Sequence, residues 1–205
     1  MIVGKLCAKL TLEFMAEYPV ATLELLVRVL GANKIAYAII GGVAVSLTAS
    51  PRFTRDVDAV LWVPDISIED FLRTLSAAGF HSRSLVPVEF AKKHRMILLL
   101  DQNGVDIDLS LGGLPFERDA VTNANSFEIE PGLTAKVASA EALVVMKAVA
   151  SRPADYTDIA ELLKFNPKLD RKYVLSTVKQ FADLLDRPEL IAKLLTIFTE
   201  IPLEL

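Results

Sequence analysis

Two short stretches place acids two residues apart at the mouths of apolar runs: Asp56 and Asp58 in RDVDAVLWV, and Asp106 and Asp108 in GVDIDLSL. Along a strand, side chains at i and i+2 share a face, so each pair presents two carboxylates in one direction. Carboxylates in close array repel when ionised and favour a divalent cation between them. Mg²⁺, a hard ion, takes one or two carboxylates and completes its shell with phosphate oxygens. Two such pairs in one mixed sheet, with strands about 4.8 Å apart, would build a site for two metal ions roughly 3.5–4 Å apart. Such a site aligns an attacking hydroxyl, a phosphorus and a leaving pyrophosphate, with positioning and charge stabilisation supplying the rate. Taken alone, Asp56-Val57-Asp58 reads first as a solvated strand entry, and the case for chemistry needs a second feature.

That feature precedes it. IAYAII, Gly41-Gly42 and VAVSLTAS read as strand, glycines and helix, which presents backbone N–H groups and a positive helix end to an anion. Glycine lets a phosphate approach the backbone closely. The stretch lacks the Gly-Lys-Ser/Thr ending of a P-loop, so a tight strand-to-helix turn explains the glycines equally well on their own.

The elements that must position these residues follow from periodicity. Residues 21–34 carry apolar positions at helical spacing with a Gly-Ala-Asn stop. Residues 35–40 and 58–63 read as buried strands, and 66–80 as an amphipathic helix ending at Gly79. Residues 96–111 form two apolar runs around Asp101-Gln102-Asn103-Gly104, a strong hairpin signal. Residues 126–139 suggest a second hairpin turning at Pro131-Gly132. From Ser139, an N-cap candidate, the pattern becomes successive helices split by Pro153, Pro167 and Pro188. The expected fold is therefore α+β. A mixed sheet with flanking helices occupies residues 1–138, N-terminal helices included, and a helical region at 139–205 packs on it. The closing stretch TIFTEIPLEL, with Ile197, Phe198, Ile201 and Leu203, is expected to pack internally; a homodimer surface is the other use for it.

Composition narrows the classes. A chain of 205 residues with 52% apolar residues has ample core. Its longest apolar stretch, 35–47, is too short for a membrane span, and the N-terminus carries Lys5, Lys9 and Glu13 where a signal peptide needs a clean apolar run. The expectation is a cytoplasmic protein without membrane partners. A net charge of −4 does not suit a protein that coats nucleic acid. The single Cys7 is read as a buried spare thiol and excludes an intrachain disulfide. His81 and His94 lack partners at metal-ligand spacing and are read as surface or strand-edge residues.

Taken in order, GG, RFTRDVD and VDIDL resemble the nucleotidyltransferase fold shared by polymerase-β-like enzymes. The chain is most similar to the bacterial AbiEii/AbiGii-toxin-like nucleotidyltransferases. The likeness extends through VASAEALVVMKAVASRPADYTDIAELL and covers about residues 35–163. It implies transfer of NMP from an NTP to a hydroxyl of an RNA (tRNA among them), a protein or a small molecule, with one or two Mg²⁺ ions. It also implies a cognate partner in a toxin–antitoxin pair. By resemblance, Gly41 and Gly42 cradle the triphosphate, Asp56 and Asp58 bind Mg²⁺, and the third carboxylate, metal ligand or base, is Asp108 or Asp106. Alternation does not separate those two; Asp108 is slightly preferred. Lys147 is the lysine expected to meet phosphate, with Asp158 or Asp155 the acid that follows it, and Arg52, Thr54 and Arg152 are further nucleotide contacts. One departure stands out: Val43 follows Gly42, so the serine often found after the first glycine is missing. That departure motivates an alternative, a catalytically inactive binding module on the same fold. A third reading, a haloacid-dehalogenase-like start in ILLLDQNGV, fails on Asn103, which stands where the second aspartate belongs.

Overall fold

The computed structural model describes residues 17–51 and 53–201; Cys7, Arg52 and Leu203 lie outside them. The chain divides into two compact units, one running to residue 138 apart from 48–50, the other made of 48–50 and the residues from 139 onward. No helix among the described residues is long and apolar enough to cross a membrane.

The first unit contains α1 (Glu17–Ala32), β1 (Ala36–Ile40), α2 (Gly41–Thr48), β2 (Asp56–Trp62), α3 (Ile68–Ala77), β3 (His81–Ser82), α4 (Pro87–His94), β4 (Met96–Leu100), β5 (Asp106–Leu111), α5 (Pro115–Thr122), β6 (Asn125–Glu130) and β7 (Leu133–Val137). The strands form one mixed sheet in the order β3-β4-β5-β2-β1-β7-β6. The hairpin β4–β5 inserts β5 beside β2 in parallel, while β1 lies antiparallel on the other side of β2. Alternation sets the faces: Val57, Ala59 and Leu61 of β2 and Ile107 and Leu109 of β5 are wholly buried on one side. Their neighbours at odd steps, including all four aspartates, point to the other.

Several elements differ from the sequence expectation. The glycine pair lies at the strand-to-helix junction as read, but α2 begins at Gly41 itself, two residues before Val43, with Gly41 at φ +66°. Strand β2 begins at Asp56, two residues earlier than the reading of 58–63, so both acids lie within the ladder. The short elements β3, α4 and α5 carry no apolar periodicity strong enough to announce them. Helix α4, PVEFAKKH, buries a single side chain, Ala91, and is started by Pro87 in its first turn. His81 lies in the edge strand β3, and His94 ends α4 against the Phe90 ring.

Asp101 closes the β4–β5 hairpin. Its carboxylate accepts hydrogen bonds from the Asn103 and Val105 backbone N–H groups at 2.8 and 2.9 Å and from the Thr22 hydroxyl of α1 at 2.6 Å. Burial disfavours the Asp101 charge, but these donors outweigh it and hold its pKa below the ordinary value. A carboxylate so enclosed ties a turn to a helix and is not presented to a substrate, which removes the dehalogenase-like reading.

The second unit contains α6 (Ala140–Ala150), α7 (Pro153–Phe165), α8 (Arg171–Leu185) and α9 (Glu189–Glu200). Ser139 caps α6 by accepting from the Ala142 N–H, and Asp170 caps α8 through the Tyr173 N–H. Helix α6 touches the other three, and Leu143, Val144, Val145 and Ala148 are all buried. Ile197 and Phe198 of α9 are buried too, with the Arg171 guanidinium over the Phe198 ring. Lys147 on α6 is buried, its Nζ lying 2.7 Å from Asp158 Oδ2 and 3.2 Å from Asp155 Oδ1 on α7. Asp155 also accepts from the Arg152 backbone N–H at 2.9 Å and its Nε at 3.0 Å. Burial works against ionisation of Asp155, and the Arg152 and Lys147 contacts more than reverse it, lowering its pKa. The pair of Arg152 with Asp155 is thus no surface contact: one partner is exposed and the other, Asp155, is 2% exposed.

Two outcomes test these links. Replacing Lys147 by Met leaves Asp155 and Asp158 buried with one fewer cation, and equilibrium urea unfolding is expected to show a loss of about 3 kcal/mol. Asp101 and Asp155, with lowered pKa values in the folded chain, contribute stability that is complete above the unfolded aspartate pKa and is lost as pH falls below about 4. Asp101→Asn is expected to flatten that acid limb in thermal melts taken between about pH 2 and 6; an unchanged limb would show that Asp101 does not contribute to it.

Candidate active site

Parallel pairing of β2 with β5 sets Asp56 opposite Asp106 and Asp58 opposite Asp108. Paired residues of adjacent strands point to the same face, so the four carboxylates form a two-by-two array on one side of the sheet. Neighbouring strands lie about 4.8 Å apart. At an effective dielectric near 20, two unit charges at that spacing repel by roughly 3 kcal/mol. An array of this kind needs cations or hydrogen-bond donors close by.

Each acid has its own surroundings. Asp56 is exposed, and its Oδ1 accepts a 2.6 Å hydrogen bond from the hydroxyl of Thr54, which is itself buried. The Thr54 side chain therefore orients Asp56 instead of merely favouring extended backbone. Asp58 is half-buried against the start of α2. Because β1 runs antiparallel to β2 with Ile40 opposite Asp58, the next residue, Gly41, falls beside that carboxylate. A methyl group on Gly41 would sit 1.9 Å from Asp58 Oδ2 and 2.7 Å from its Cγ. Gly41 also has φ +66°, a left-handed conformation that side chains disfavour. Two independent constraints thus select glycine at 41. Gly42, next in α2, is buried.

On β5, Asp106 and Asp108 face a residue that sequence reasoning missed. Arg83 follows the edge strand β3, its backbone N–H donates to the Leu98 carbonyl at 2.9 Å, and Leu98 is the residue opposite Asp108. From there the guanidinium reaches over β4, with Nη1 3.4 Å from Asp106 Oδ2 and Nη2 on Asp108 Oδ1. Burial pushes the Asp108 pKa upward; the charges of Asp106 and Asp56 add to the rise, and Arg83 opposes it. An isolated arginine in HSRS carries no sequence signal for this contact. Only the pairing of a two-residue strand with β4 aims it at the acids.

The donor set suits a hard divalent cation: carboxylate oxygens from two adjacent strands, with a glycine whose missing side chain leaves room beside Asp58. No three His, Cys, Asp or Glu residues among the described ones stand together as a ligand set. Among the other residues singled out from sequence, Arg52 lies outside the described ones. Lys147, Arg152, Asp155 and Asp158 belong to the second unit and form its internal charge cluster.

Comparison with known proteins bears on the family and the fold. The family described as nucleotidyl transferase of unknown function (DUF2204) matches residues 20–195. No curated protein matches significantly. Among solved structures, the chain is similar to the antibiotic-resistance factor ANT(2'')-Ia, with TM-score 0.59, 14% identity, and coverage of 84% of this chain and 95% of that one. It is also similar to an antigenic nucleotidyltransferase-like protein from Paracoccidioides brasiliensis, with TM-score 0.54, 20% identity, and coverage of 85% and 91%. At these identities the structural likenesses establish the fold, the nucleotidyltransferase-like α+β sheet. The family match spans most of the chain, and the protein belongs to that family of nucleotidyl transferases.

Proposed function

We propose that the protein transfers NMP from an NTP to an acceptor hydroxyl with the help of Mg²⁺ bound at the β2–β5 acids. The observation that carries this reading is the in-register pairing of Asp56 with Asp106 and Asp58 with Asp108, beside Gly41, where any side chain would clash with the Asp58 carboxylate. Mg²⁺, when bound, neutralises phosphate charge and polarises the phosphoryl group. The chain's own residues do the rest. Asp56, fixed by Thr54, and Asp58, backed by α2, hold the ion. The first N–H groups of α2, at Gly41 and Gly42, face the triphosphate as an anion-binding helix end. Asp108 is favoured as the third carboxylate, because it stands directly opposite Asp58, the acid beside Gly41. Its raised pKa also suits a group that accepts a proton from the attacking hydroxyl.

In this reading Lys147, already engaged by Asp155 and Asp158, serves as a structural cation, while nucleotide contacts by Arg52 and Arg152 rest on resemblance. The acceptor class (RNA, protein or small molecule) and a toxin–antitoxin setting rest on resemblance too. A second reading, a catalytically inactive binding or interaction module on the nucleotidyltransferase fold, draws on Val43. That side chain is wholly buried and brings no hydroxyl to the glycine turn, and Ser46 is buried as well. Calorimetry with ATP, CTP, GTP and UTP in Mg²⁺ separates the two: binding of at least one supports the transferase, and binding of none supports the module.

The direct test incubates the full chain with each labelled NTP, Mg²⁺ and pools of tRNA, protein and small hydroxyl compounds. Asp56→Asn combined with Asp58→Asn is expected to lower incorporation by about a hundredfold or more while the fold is retained by circular dichroism. Incorporation at the wild-type level in that double variant would show that the chemistry lies elsewhere. Gly41→Ala is expected to push Asp58 aside, lowering incorporation similarly and stability by about 1 kcal/mol or more.

A further inference from the structure

Arg83 is positioned with unusual care for a residue next to an edge strand. Ser82 and Ser84 exchange hydrogen bonds around it, with Ser84 N–H donating to Ser82 Oγ and the Ser82 hydroxyl donating to the Ser84 carbonyl, while Val86 N–H donates to Ser84 Oγ. Its own N–H extends the β3–β4 ladder by one bond, to Leu98. The side chain is 30% exposed and lies across both β5 carboxylates. Asp106 and Asp108 together carry two negative charges, and Arg83 carries one positive charge. A guanidinium has a fixed fork of donors matched to carboxylate oxygens, so it can hold the two acids in place without a metal. A divalent ion at the same oxygen of Asp108 would compete with it, because two cations placed there repel.

We propose that Arg83 is a positioning residue that acts as a built-in counter-cation: it neutralises and orients the Asp106 and Asp108 carboxylates in the metal-free chain and gives up Asp108 when a divalent ion binds. This rests on the reading of the acid array as a metal site. Metal affinity is then set by an exchange, a divalent ion for a guanidinium, and Arg83 limits it. A merely structural arginine would behave differently, since its loss would loosen the acids and weaken metal binding.

Mn²⁺ serves as the probe, with free ion followed by electron paramagnetic resonance and thermal melts recorded with and without it. Arg83→Gln is expected to melt lower than wild type without metal, yet to bind Mn²⁺ on the order of tenfold more tightly, from the removed like charge. Arg83→Lys keeps the charge and is expected to stay within about threefold of wild type. Unchanged or weaker Mn²⁺ binding in Arg83→Gln would overturn the proposal. A measurement on the wild-type chain needs no variant: the Arg83 guanidinium ¹⁵N signals are expected to shift on Mg²⁺ addition, and signals that stay fixed at saturating Mg²⁺ would also overturn it. Asp56→Asn with Asp58→Asn separates the two levels of failure. Mn²⁺ binding indifferent to those substitutions contradicts the metal site itself; binding that depends on them but not on Arg83 contradicts only the exchange.

Discussion

The molecule is organised around a repulsion. Four aspartates on two adjacent parallel strands share one face of the sheet, and like charges at neighbouring-strand spacing are unfavourable. The arrangement persists because register is fixed from the other face. Val57, Ala59, Leu61, Ile107 and Leu109 are wholly buried, and slipping either strand by one residue would bring them to the acid side and turn aspartates into the core. Burial of apolar side chains on one face therefore holds charges together on the other. What surrounds the acids answers that constraint: a hydroxyl from Thr54 on Asp56, the start of α2 against Asp58, and the Arg83 fork on the β5 pair.

The chain contains a second concentration of charge with a different physical character. Around Lys147, two buried carboxylates meet the ammonium, and one of them also meets the Arg152 side chain. Such a cluster specifies how α6 meets α7, and disturbing it is costly because a buried charge would be left over. The acid array on the sheet is more open: Asp56 is exposed, and Asp58, Asp106 and Asp108 are half-buried. Enclosed charge serves structure and accessible, like-signed charge invites a cation. That difference is why the proposed chemistry is placed on β2 and β5.

Much of the array was legible in sequence. The i, i+2 spacing of Asp56/Asp58 and Asp106/Asp108 correctly places each pair on one face, and Asn103-Gly104 correctly marks the hairpin that carries β5. What alternation cannot show is which strands become neighbours. The parallel pairing that aligns the two acid pairs is a long-range choice, made by the sheet as a whole. Gly41 was legible as a special residue, but its reason was not: the constraint comes from the Asp58 carboxylate seventeen positions away. Arg83 was not legible, since its aim depends on a two-residue edge strand. Lys147, Asp155 and Asp158 were each noticed in sequence, but not their ion pairs with one another, which depend on how α6 meets α7.

The central claim is that the β2–β5 acids hold the divalent ion that organises the triphosphate. Anomalous diffraction from crystals grown with Mn²⁺ and a non-hydrolysable NTP tests it most directly. The account requires an Mn²⁺ peak held by Asp56 and Asp58, with Asp108 beside it, and the triphosphate at Gly41 and Gly42. A triphosphate bound without an ion at these acids, or an ion coordinated by none of Asp56, Asp58 and Asp108, would contradict it.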